Sequence, residues 1–285
     1  MRIDDDSIDF NTEPALCFLN RGDFDSAWKV AEEGIAVTGT DRCQKAYWHF
    51  RFIRARVMNI RGQTEEALHY LESFGSPCDQ DIASKANLSM FRGYWLAMLG
   101  KHRLAGALLT EAADLASSAE LFALQGEVKV RQAMTAYLQQ DFKLSHSLYL
   151  SVVATQADRC GTYLYSVALC GVGKSLMAQR LFQEALVWFD KSMKVARESG
   201  FNLLYAGIFS EIGVCHTGLG ELDRALDVHL ETDKILYDMG AQQYYQVNLG
   251  DTGNVYLVAV GTIITDRPPH RSARALVSAC GSYLG

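Results

Sequence analysis

The chain has 285 residues, of which 49% are hydrophobic, 21% are charged and only four are proline. This composition is too apolar for an intrinsically disordered chain and has too little proline for a loop-rich all-β protein. The 27 Lys and Arg residues against 33 Asp and Glu residues give a net charge of −6, which excludes a global positive field for nucleic acid or anionic lipid. We therefore predict neither a nucleic-acid partner nor a membrane partner.

The amino terminus and the cysteines indicate in which cellular compartment the protein is located. The first residues are acidic, from Asp4 to Asp6, where a secretory signal needs basic residues followed by an apolar run. The seven cysteines are odd in number, widely spaced and without a Cys-x-x-Cys pair. We therefore predict reduced thiols and a cytoplasmic location. The longest uncharged stretches, residues 160–173 and 252–265, have 14 residues each, fewer than the roughly 20 that span a membrane, and we predict buried helix for both.

Along the chain, a helical block, a short turn and a second helical block recur about every 40 residues. No proline lies between residues 78 and 267 to interrupt them. Each first block has a small residue near its middle, at intervals of 40, 38, 40, 40, 40 and 40 positions: Ala15, Ala55, Gly93, Ala133, Gly173, Gly213 and Gly253. Twelve positions after the first six of these lie six more small residues: Ala27, Ala67, Ala105, Ser145, Ala185 and Ala225. Antiparallel helices approach closely only where bulky side chains are absent, so we predict that the thirteen residues lie at helix crossings.

The turns predict where the helices end. Four of the six turns inside the pairs begin with glycine, and two do not: Gly22, Gly62, Gly100 and Gly220 against Gln140 and Arg180. Glycine suits a helix end that turns into the left-handed region of backbone conformation. Three more glycines follow the second blocks Leu144–Cys160, Glu184–Ser199 and Leu222–Met239, and we predict that they cap those helices: Gly161, Gly200 and Gly240.

The small residue, the turn and the second small residue twelve positions later resemble the tetratricopeptide repeat. The resemblance is strongest from Gly93 to Ala112, from Gly173 to Ala185 and from Gly213 to Ala225, and it covers residues 8 to about 258. The period is 40 where 34 is usual, and the customary proline after the second helix is missing; longer repeats of this kind are similar to those of kinesin light chains, MalT-type regulators and arrays that precede CHAT domains. The resemblance implies an all-α, right-handed superhelical solenoid of antiparallel helix pairs, whose first helices line a concave groove that holds a peptide or protein segment.

The seventh repeat is incomplete. It begins around Gly253, but no proper turn follows, and Pro268 and Pro269 exclude a second helix in register. We therefore predict a solenoid of about six and a half repeats in residues 8–258 and an irregular or truncated tail in residues 259–285. An uncapped last repeat exposes apolar surface, which predicts self-association through this end. We also hypothesise that the chain is a fragment or a frameshifted product of a longer protein.

The family's groove positions, transferred onto this register, select polar, aromatic and methionine side chains: His49, Arg56, Asn59, Asn87, Tyr94, Met98, Tyr137, Lys174, Met177 and Asn254. Asn can hold a peptide backbone while apolar anchors are buried, so we predict an extended or helical peptide ligand. Arg56 belongs to one concentration of basic residues: Arg42, Lys45, Arg51, Arg54, Arg56 and Arg61. These form either a solvated helix face or a site for an acidic peptide. The predicted function is a protein-interaction scaffold without catalytic residues, metal or cofactor.

Two other functions compete with this prediction. The array can be the sensor arm of a larger bacterial regulator or of a CHAT-type caspase-like protease. Alternatively, Ala168 to Ser175 fits a relaxed phosphate-loop pattern, which predicts an NTPase that uses Lys174. We favour a helix there, because Gly173 is already explained as a crossing residue and no alternating βα pattern surrounds it. The histidines, and the pair Cys215 and His216, lack the spacing of a metal site and are predicted to pack.

Overall fold

A computed structural model of the protein describes residues 13–155 and 161–264. The described residues form α-helices and no strands, which confirms the predicted all-α fold class. The first five residues of the predicted solenoid, residues 156–160, and the predicted tail from residue 265 onward lie outside the described ranges. Within these ranges no helix is both long enough and apolar enough to cross a membrane.

Within the described residues, the helices form six consecutive pairs followed by one further helix. The first helices of the pairs are α1 (Glu13–Arg21), α3 (Lys45–Ile60), α5 (Ile82–Met98), α7 (Phe122–Leu138), α9 (Thr162–Ala178) and α11 (Asn202–Leu219). The second helices are α2 (Phe24–Thr38), α4 (Thr64–Glu72), α6 (His102–Ser118), α8 (Phe142–Val153), α10 (Phe182–Glu198) and α12 (Leu222–Asp238). The further helix, α13 (Gln242–Ile264), stands where the first helix of a seventh pair is predicted.

The chain forms two compact units, residues 1–128 (unit 1) and residues 129–285 (unit 2), whose boundary lies within α7. The core of unit 1 contains two fully enclosed tryptophans, Trp48 and Trp95, joined through the rings of Phe52 and Phe91. The core of unit 2 is built around Phe189, which has no exposed surface. Large aromatic and aliphatic side chains therefore fill the space between the helices, while small residues mark the places where the helices meet.

The predicted crossing residues are buried, with one exception. Twelve of the thirteen are buried, and Gly253 on α13 is exposed. A Cβ atom at Gly173 would lie 2.6 Å from the Phe189 ring, and one at Gly213 would lie 2.7 Å from the His229 ring. A glycine on the first helix thus accepts a large side chain from sixteen positions later, on the second helix. Gly253 has no atom within 4 Å of the corresponding Cβ position, because α13 has no second helix among the described residues.

His229 confirms the prediction that the histidines of the repeats pack, and it adds a hydrogen-bond network. Its ring is fully buried, and Nδ1 lies 2.8 Å from Oδ1 of Asn248 on α13. The Asn248 amide donates in turn to the His229 carbonyl at 2.9 Å and to the Asp233 carboxylate at 2.8 Å. Because buried polar groups are stable only when they are hydrogen-bonded, this network fixes α13 against α12 in one register.

The backbone confirms the predicted glycine turns. All four turn glycines have positive φ, from 75° at Gly100 to 85° at Gly62, and Gly200 and Gly240 have φ of 69° and 65°. Gln140 and Arg180, at the two turns without glycine, adopt the same conformation with φ of 62° and 64°. One helix end is wrong: α8 ends at Val153, not near residue 160, and the cap role of Gly161 depends on residues 156–160, outside the described chain.

Replacing Gln140 or Arg180 with glycine is expected to stabilise the protein. An L-residue in the left-handed region costs roughly 1–2 kcal/mol, and glycine removes this cost at the expense of some unfolded-state entropy. Each substitution should therefore raise the free energy of unfolding by about 0.5–1 kcal/mol, measured by urea unfolding followed by circular dichroism. The matched control is Gln179→Gly, one residue before Arg180 with φ of −87°, which should be destabilising. Destabilisation by all three changes would contradict the assignment of strain to positive φ.

The structure corrects the prediction that all the cysteines are reduced thiols. Cys43 and Cys78 form a disulfide bond with their Cα atoms 5.2 Å apart. Cys43 precedes α3 and Cys78 follows α4, and because α3 and α4 run in opposite directions, their outer ends meet at the same edge of unit 1. Among the other described cysteines, Cys17 is an exposed thiol, and Cys170 and Cys215 are buried thiols.

Candidate functional site

The first helices of neighbouring pairs lie side by side in each unit. In unit 1, α3 contacts α5; in unit 2, α9 contacts α11, and α11 contacts α13. We call the outward surface of α3, α5 and residues 122–128 of α7 the first-helix face of unit 1. The corresponding surface of residues 129–138 of α7 with α9, α11 and α13 is the first-helix face of unit 2. Both faces are built from rigid helices, which position their side chains accurately.

All ten predicted groove residues lie on first helices. Unit 1 contains His49, Arg56, Asn59, Asn87, Tyr94 and Met98, and unit 2 contains Tyr137, Lys174, Met177 and Asn254. Nine of them are at least partly exposed. Met177 is only 8% exposed and packs in the core of unit 2, which leaves little of its surface for a ligand.

Arg51, one of the basic residues of α3, does not lie on a solvated face. Arg51 is 4% exposed, and its guanidinium lies 3.3 Å from the Tyr47 ring centroid and 4.8 Å from that of Phe74. It also donates a hydrogen bond of 2.8 Å to the Tyr47 carbonyl. A guanidinium over aromatic rings is stabilised by cation–π attraction, which is stronger where water is excluded. The charge of Arg51 is therefore used inside unit 1.

Two further arginines of this stretch pack in the same way. The Arg54 guanidinium lies between Trp28 and Tyr70, 4.6 Å and 5.0 Å from their ring centroids. Arg61 pairs with Asp25 and also lies 5.4 Å from the Trp28 ring. Neither predicted alternative, a solvated face or a site for an acidic peptide, describes these residues; they join α3 to α2 and α4.

Unit 1 has an open cleft beside Asn87, which we call the unit 1 cleft. It has a volume of about 320 Å³ and is lined by Ala83, Asn87, Leu121, Phe122, Ala123, Leu124 and Glu127. Phe122 is 68% exposed, which is unusual for a large aromatic side chain. The Asn87 amide donates to the Ala83 carbonyl at 3.0 Å, and no hydrogen bond to its Oδ1 is present in the described part of the chain.

The sequence prediction missed Glu127, although Glu127 has the same spacing to a crossing residue as two residues that were selected. His49 and Asn87 were selected six positions before the crossing residues Ala55 and Gly93, and Glu127 stands six positions before Ala133. Phe122 has no such signal, because its exposure depends on the neighbouring helices.

Unit 2 presents charged residues from three first helices. Lys174 on α9 forms an ion pair with Glu211 on α11, and the Lys174 ammonium lies 5.7 Å from the Tyr137 ring centroid. Burial alone would lower the pKa of Lys174, but the Glu211 carboxylate outweighs it and raises this pKa well above its ordinary value. Asp251 on α13 is half-buried near them; burial, and then the Glu211 carboxylate, raise its pKa to about 6. Glu211 and Asp251 both lie two positions before crossing glycines, a register that the sequence prediction did not use.

Replacing Asp251 is expected to change the pH dependence of stability. Because its pKa is about 6 in the folded protein and 3.8 ordinarily, the folded state binds more protons between these values, and stability is lost as the pH rises through this window. Partial exposure reduces the size of the effect, so Asp251→Asn should stabilise by about 1–2 kcal/mol at pH 7.5 and by nothing near pH 3.5. Urea unfolding at both pH values measures this. Exposed Asp227→Asn on α12 is the control and should be neutral; equal effects of both variants would contradict the assignment.

The structure confirms the helix that we favour over a phosphate loop, and the alternative of a phosphate loop does not fit. Residues 168–175 lie inside α9, where backbone amides are already bonded within the helix and cannot surround a phosphate. The Ser175 hydroxyl is buried, donates to the Gly171 carbonyl at 2.9 Å and lies 3.0 Å from the Ser145 hydroxyl. Lys174 is paired with Glu211, and Gly173 is a crossing residue, as the repeat predicts.

The described residues contain no group of three or more His, Cys, Asp or Glu side chains placed to hold a metal ion. Burial raises the pKa of both Cys170 and Cys215 to about 12, so neither thiol supplies a reactive thiolate near neutral pH. His216, the neighbour of Cys215, instead lies 2.8 Å from the Glu221 carboxylate at the turn between α11 and α12. The described side chains of the first-helix faces offer hydrogen bonding, ion pairing and apolar contact.

No protein-family model matches the sequence, and no curated protein matches it. Among solved structures, the chain is similar to a Rap protein complexed with competence and sporulation factor, with a TM-score of 0.61 and 11% identity, over 94% of this chain and 80% of that one. It is also similar to NprR in complex with its cognate peptide NprX, with a TM-score of 0.62 and 13% identity, over 95% and 76% of the two chains.

A third similar structure is a STAND protein with a tetratricopeptide repeat sensor from Pyrococcus horikoshii, with a TM-score of 0.56 and 12% identity. The match covers 96% of this chain and 49% of that one. Identities this low show a shared fold only: a solenoid of antiparallel helix pairs.

Proposed function

We propose that this chain, a tetratricopeptide-type helical repeat protein, is a scaffold that binds a peptide or protein segment on its first helices. The observation that carries the proposal is the unit 1 cleft, which is lined by both the exposed Phe122 and the polar Asn87. The Rap and NprR structures, which share the fold, contain competence and sporulation factor and the peptide NprX respectively, and this supports the same use of the fold here.

The unit 1 cleft has the features that peptide recognition requires. An extended or helical peptide is held by hydrogen bonds from polar side chains to its backbone and by apolar side chains in pockets. Asn87 offers a carbonyl oxygen to a peptide N–H, and Phe122 offers apolar surface. Because both helices are already packed, a ligand is bound without an ordering cost in the receptor.

An acidic ligand remains a proposal for the other basic residues of this stretch, Arg42, Lys45 and Arg56. Arg51, Arg54 and Arg61 are engaged with rings and carboxylates inside unit 1. Substitution of Arg56 by glutamate should lower the affinity for an acidic ligand and leave the affinity for a neutral ligand unchanged.

Self-association and the cytoplasmic location also remain proposals. Leu257 and Val247 on α13 are 72% and 63% exposed, and such apolar surface supports concentration-dependent association, which light scattering on dilution would measure. The disulfide between Cys43 and Cys78 weighs against a reducing cytoplasm, because such bonds persist mainly in oxidising compartments.

A second candidate function is the sensor arm of a larger regulator, including the CHAT-type protease. The STAND protein with a tetratricopeptide repeat sensor supports it, because this chain matches 49% of that protein. A reading frame that also encodes an effector domain would establish this function, and a reading frame that encodes no effector domain would reject it.

Selection of peptides from a random library on the full chain tests the proposed function. Phe122→Ala and Asn87→Ala should lower the affinity for the selected peptides by about tenfold or more, as removal of a central contact does. Leu104→Ala is the matched control, because Leu104 is 53% exposed on the second helix α6 of the same unit. Equal affinity for all the variants would contradict binding in the unit 1 cleft.

A further inference from the structure

The last described helix of unit 2, α13, exposes a surface that the repeat buries on α9. Leu257 on α13 is equivalent to Met177 on α9, two periods of 40 earlier. Met177 is 8% exposed and packs in the core of unit 2, whereas Leu257 is 72% exposed. The crossing glycines show the same contrast, because a Cβ atom at Gly173 would lie 2.6 Å from the Phe189 ring and one at Gly253 would have no atom within 4 Å. The open surface of α13 is therefore the one to which helices pack elsewhere in this unit.

This surface contains an opening for a large side chain. The cleft there, which we call the unit 2 cleft, has a volume of about 440 Å³ and is lined by Gly250, Gly253, Asn254, Tyr256, Leu257 and Val260. Positions 250, 253, 254 and 257 have the spacing of the four residues that surround an inserted side chain where two helices interlock. Two of the four are glycines with no atom within 4 Å of the Cβ position, so a side chain from another helix has room to enter.

The charges favour an uncharged partner surface at the unit 2 cleft. None of the six lining residues is charged, and α13 contains a single charged residue in its 23 positions, the half-buried Asp251. The whole chain has a net charge of −6, which keeps copies apart wherever their charged surfaces meet. Two copies of the chain can therefore approach closely at the unit 2 cleft, where the contact brings no like charges together.

The chain itself does not return to the unit 2 cleft as it does in the other pairs. α13 continues to Ile264, past the position that is equivalent to the turn residues Arg180 and Gly220. The residue that covers a crossing glycine in unit 2 stands sixteen positions later, and sixteen positions after Gly253 the sequence has Pro269. Because proline removes an amide donor and clashes with the preceding turn, it excludes a second helix in this register.

Taking the self-association proposed above as its basis, we propose that two copies of the chain pair α13 against α13 in antiparallel directions. Leu257 of each copy enters the unit 2 cleft of the other copy, beside Gly250 and Gly253. The pairing is self-complementary, because one helix face supplies both the large side chain and the glycines that receive it, and it therefore closes at a dimer. Burial of the two exposed Leu257 side chains supplies the driving free energy.

Sedimentation velocity of the full chain over a range of concentrations tests this pairing. A contact between single helices is at the low end of interface sizes, so we expect a monomer–dimer equilibrium with a dissociation constant of roughly 1–100 μM and no larger species. Leu257→Asp and Gly250→Lys should each raise this constant by about tenfold or more, because the first places a charge in the apolar cleft and the second fills the cleft.

A mixture of the two variants makes the test specific for antiparallel α13 pairing. In the mixed dimer, the introduced carboxylate meets the introduced ammonium, and the opposite contact between Leu257 and Gly250 is kept. The equimolar mixture should therefore dimerise more tightly than either variant alone. Val187→Asp is the matched control, because Val187 is 55% exposed on the second helix α10 of the same unit and should keep the wild-type constant.

The outcomes separate the pairing from self-association in general and from peptide binding. A dimer that persists in Leu257→Asp, a mixture that dimerises no better than its components, or species larger than a dimer would overturn α13 pairing and leave self-association in place. A wild type that is monomeric at every concentration would overturn both. Peptide selection tests the unit 1 cleft separately, since that cleft contains none of these residues.

Thermal unfolding at concentrations where the wild type is monomeric identifies any other occupant. Both variants should melt no lower than the wild type, because the substituted positions are exposed in the single chain. A monomeric wild type with a lower melting temperature in Leu257→Asp would assign the unit 2 cleft to residues 265–285 of the same chain. A monomeric wild type with an unchanged melting temperature would assign the cleft to a different protein, and either result overturns the inference.

Discussion

Gly173→Ala is expected to destabilise the protein by about 2 kcal/mol, although alanine is the better helix former. The new Cβ atom would lie 2.6 Å from the Phe189 ring, which has no exposed surface and so cannot move aside without displacing the core of unit 2. Overpacking of this kind typically costs 1–3 kcal/mol. Urea unfolding followed by circular dichroism measures the change.

Gly253→Ala is the control at the equivalent position of α13, which has no second helix among the described residues. Gly253 is exposed and has no atom within 4 Å of its Cβ position, so alanine should stabilise by up to about 1 kcal/mol through helix propensity alone. The two substitutions are chemically identical and are expected to act in opposite directions. A loss of stability at both positions, or at neither, would contradict the role of the small residues as helix-crossing points.

Removal of the disulfide by the double substitution Cys43→Ser and Cys78→Ser is expected to lower the free energy of unfolding by about 4 kcal/mol. The bond closes a loop with a sequence separation of 35, and the entropy that such a loop removes from the unfolded chain corresponds to this value. Dithiothreitol should shift the urea midpoint of the wild type in the same direction and leave the double variant unchanged.

Cys17→Ser is the control for this experiment, because Cys17 is an exposed free thiol on α1 and its removal should be close to neutral. Alkylation of the native protein followed by peptide mapping should label Cys17 and spare Cys43 and Cys78 until a reductant is added. Labelling of all three without a reductant would contradict the disulfide and restore the prediction of reduced thiols.

The fold was predictable because helix pairing places a steric condition on single residues. A crossing point excludes large side chains, and a helix end in the left-handed region favours glycine, so both leave a period of 40 in the sequence. The same condition explains why the missing glycines at Gln140 and Arg180 did not obscure the period: the backbone turns there regardless of the side chain. What the period could not indicate was the partner of each crossing residue, sixteen positions later.

The disulfide and the arginine contacts were not predictable in the same way. They depend on which loops and side chains the packed helices bring together. Cys43 and Cys78 share no motif, and Arg54 lies between Trp28 and Tyr70, which come from helices on either side of its own. A run of basic residues in the sequence therefore does not show whether the arginines pack against aromatic rings or lie in solvent.

The candidate site was predictable only in part. The ten predicted residues lie on the first helices because the register was correct, but Met177 is buried, and Glu211, Asp251 and Glu127 were missed. The phosphate-loop pattern shows the converse: a short motif at Gly173 and Lys174 was formed by residues that the repeat requires for other reasons. Burial and charge balance, which decide what a surface can bind, follow from the packed helices and not from the local sequence.

Site-specific photo-crosslinking tests peptide binding on the first helices most directly. Benzoylphenylalanine would replace Phe122 and Leu257 on the first helices α7 and α13, and Leu104 and Val187 on the second helices α6 and α10; all four side chains are more than half exposed. With a peptide selected on the full chain, we expect crosslinks from one or both first-helix positions and none from the second-helix positions. Crosslinks that form only at Leu104 or Val187 would contradict binding on the first helices.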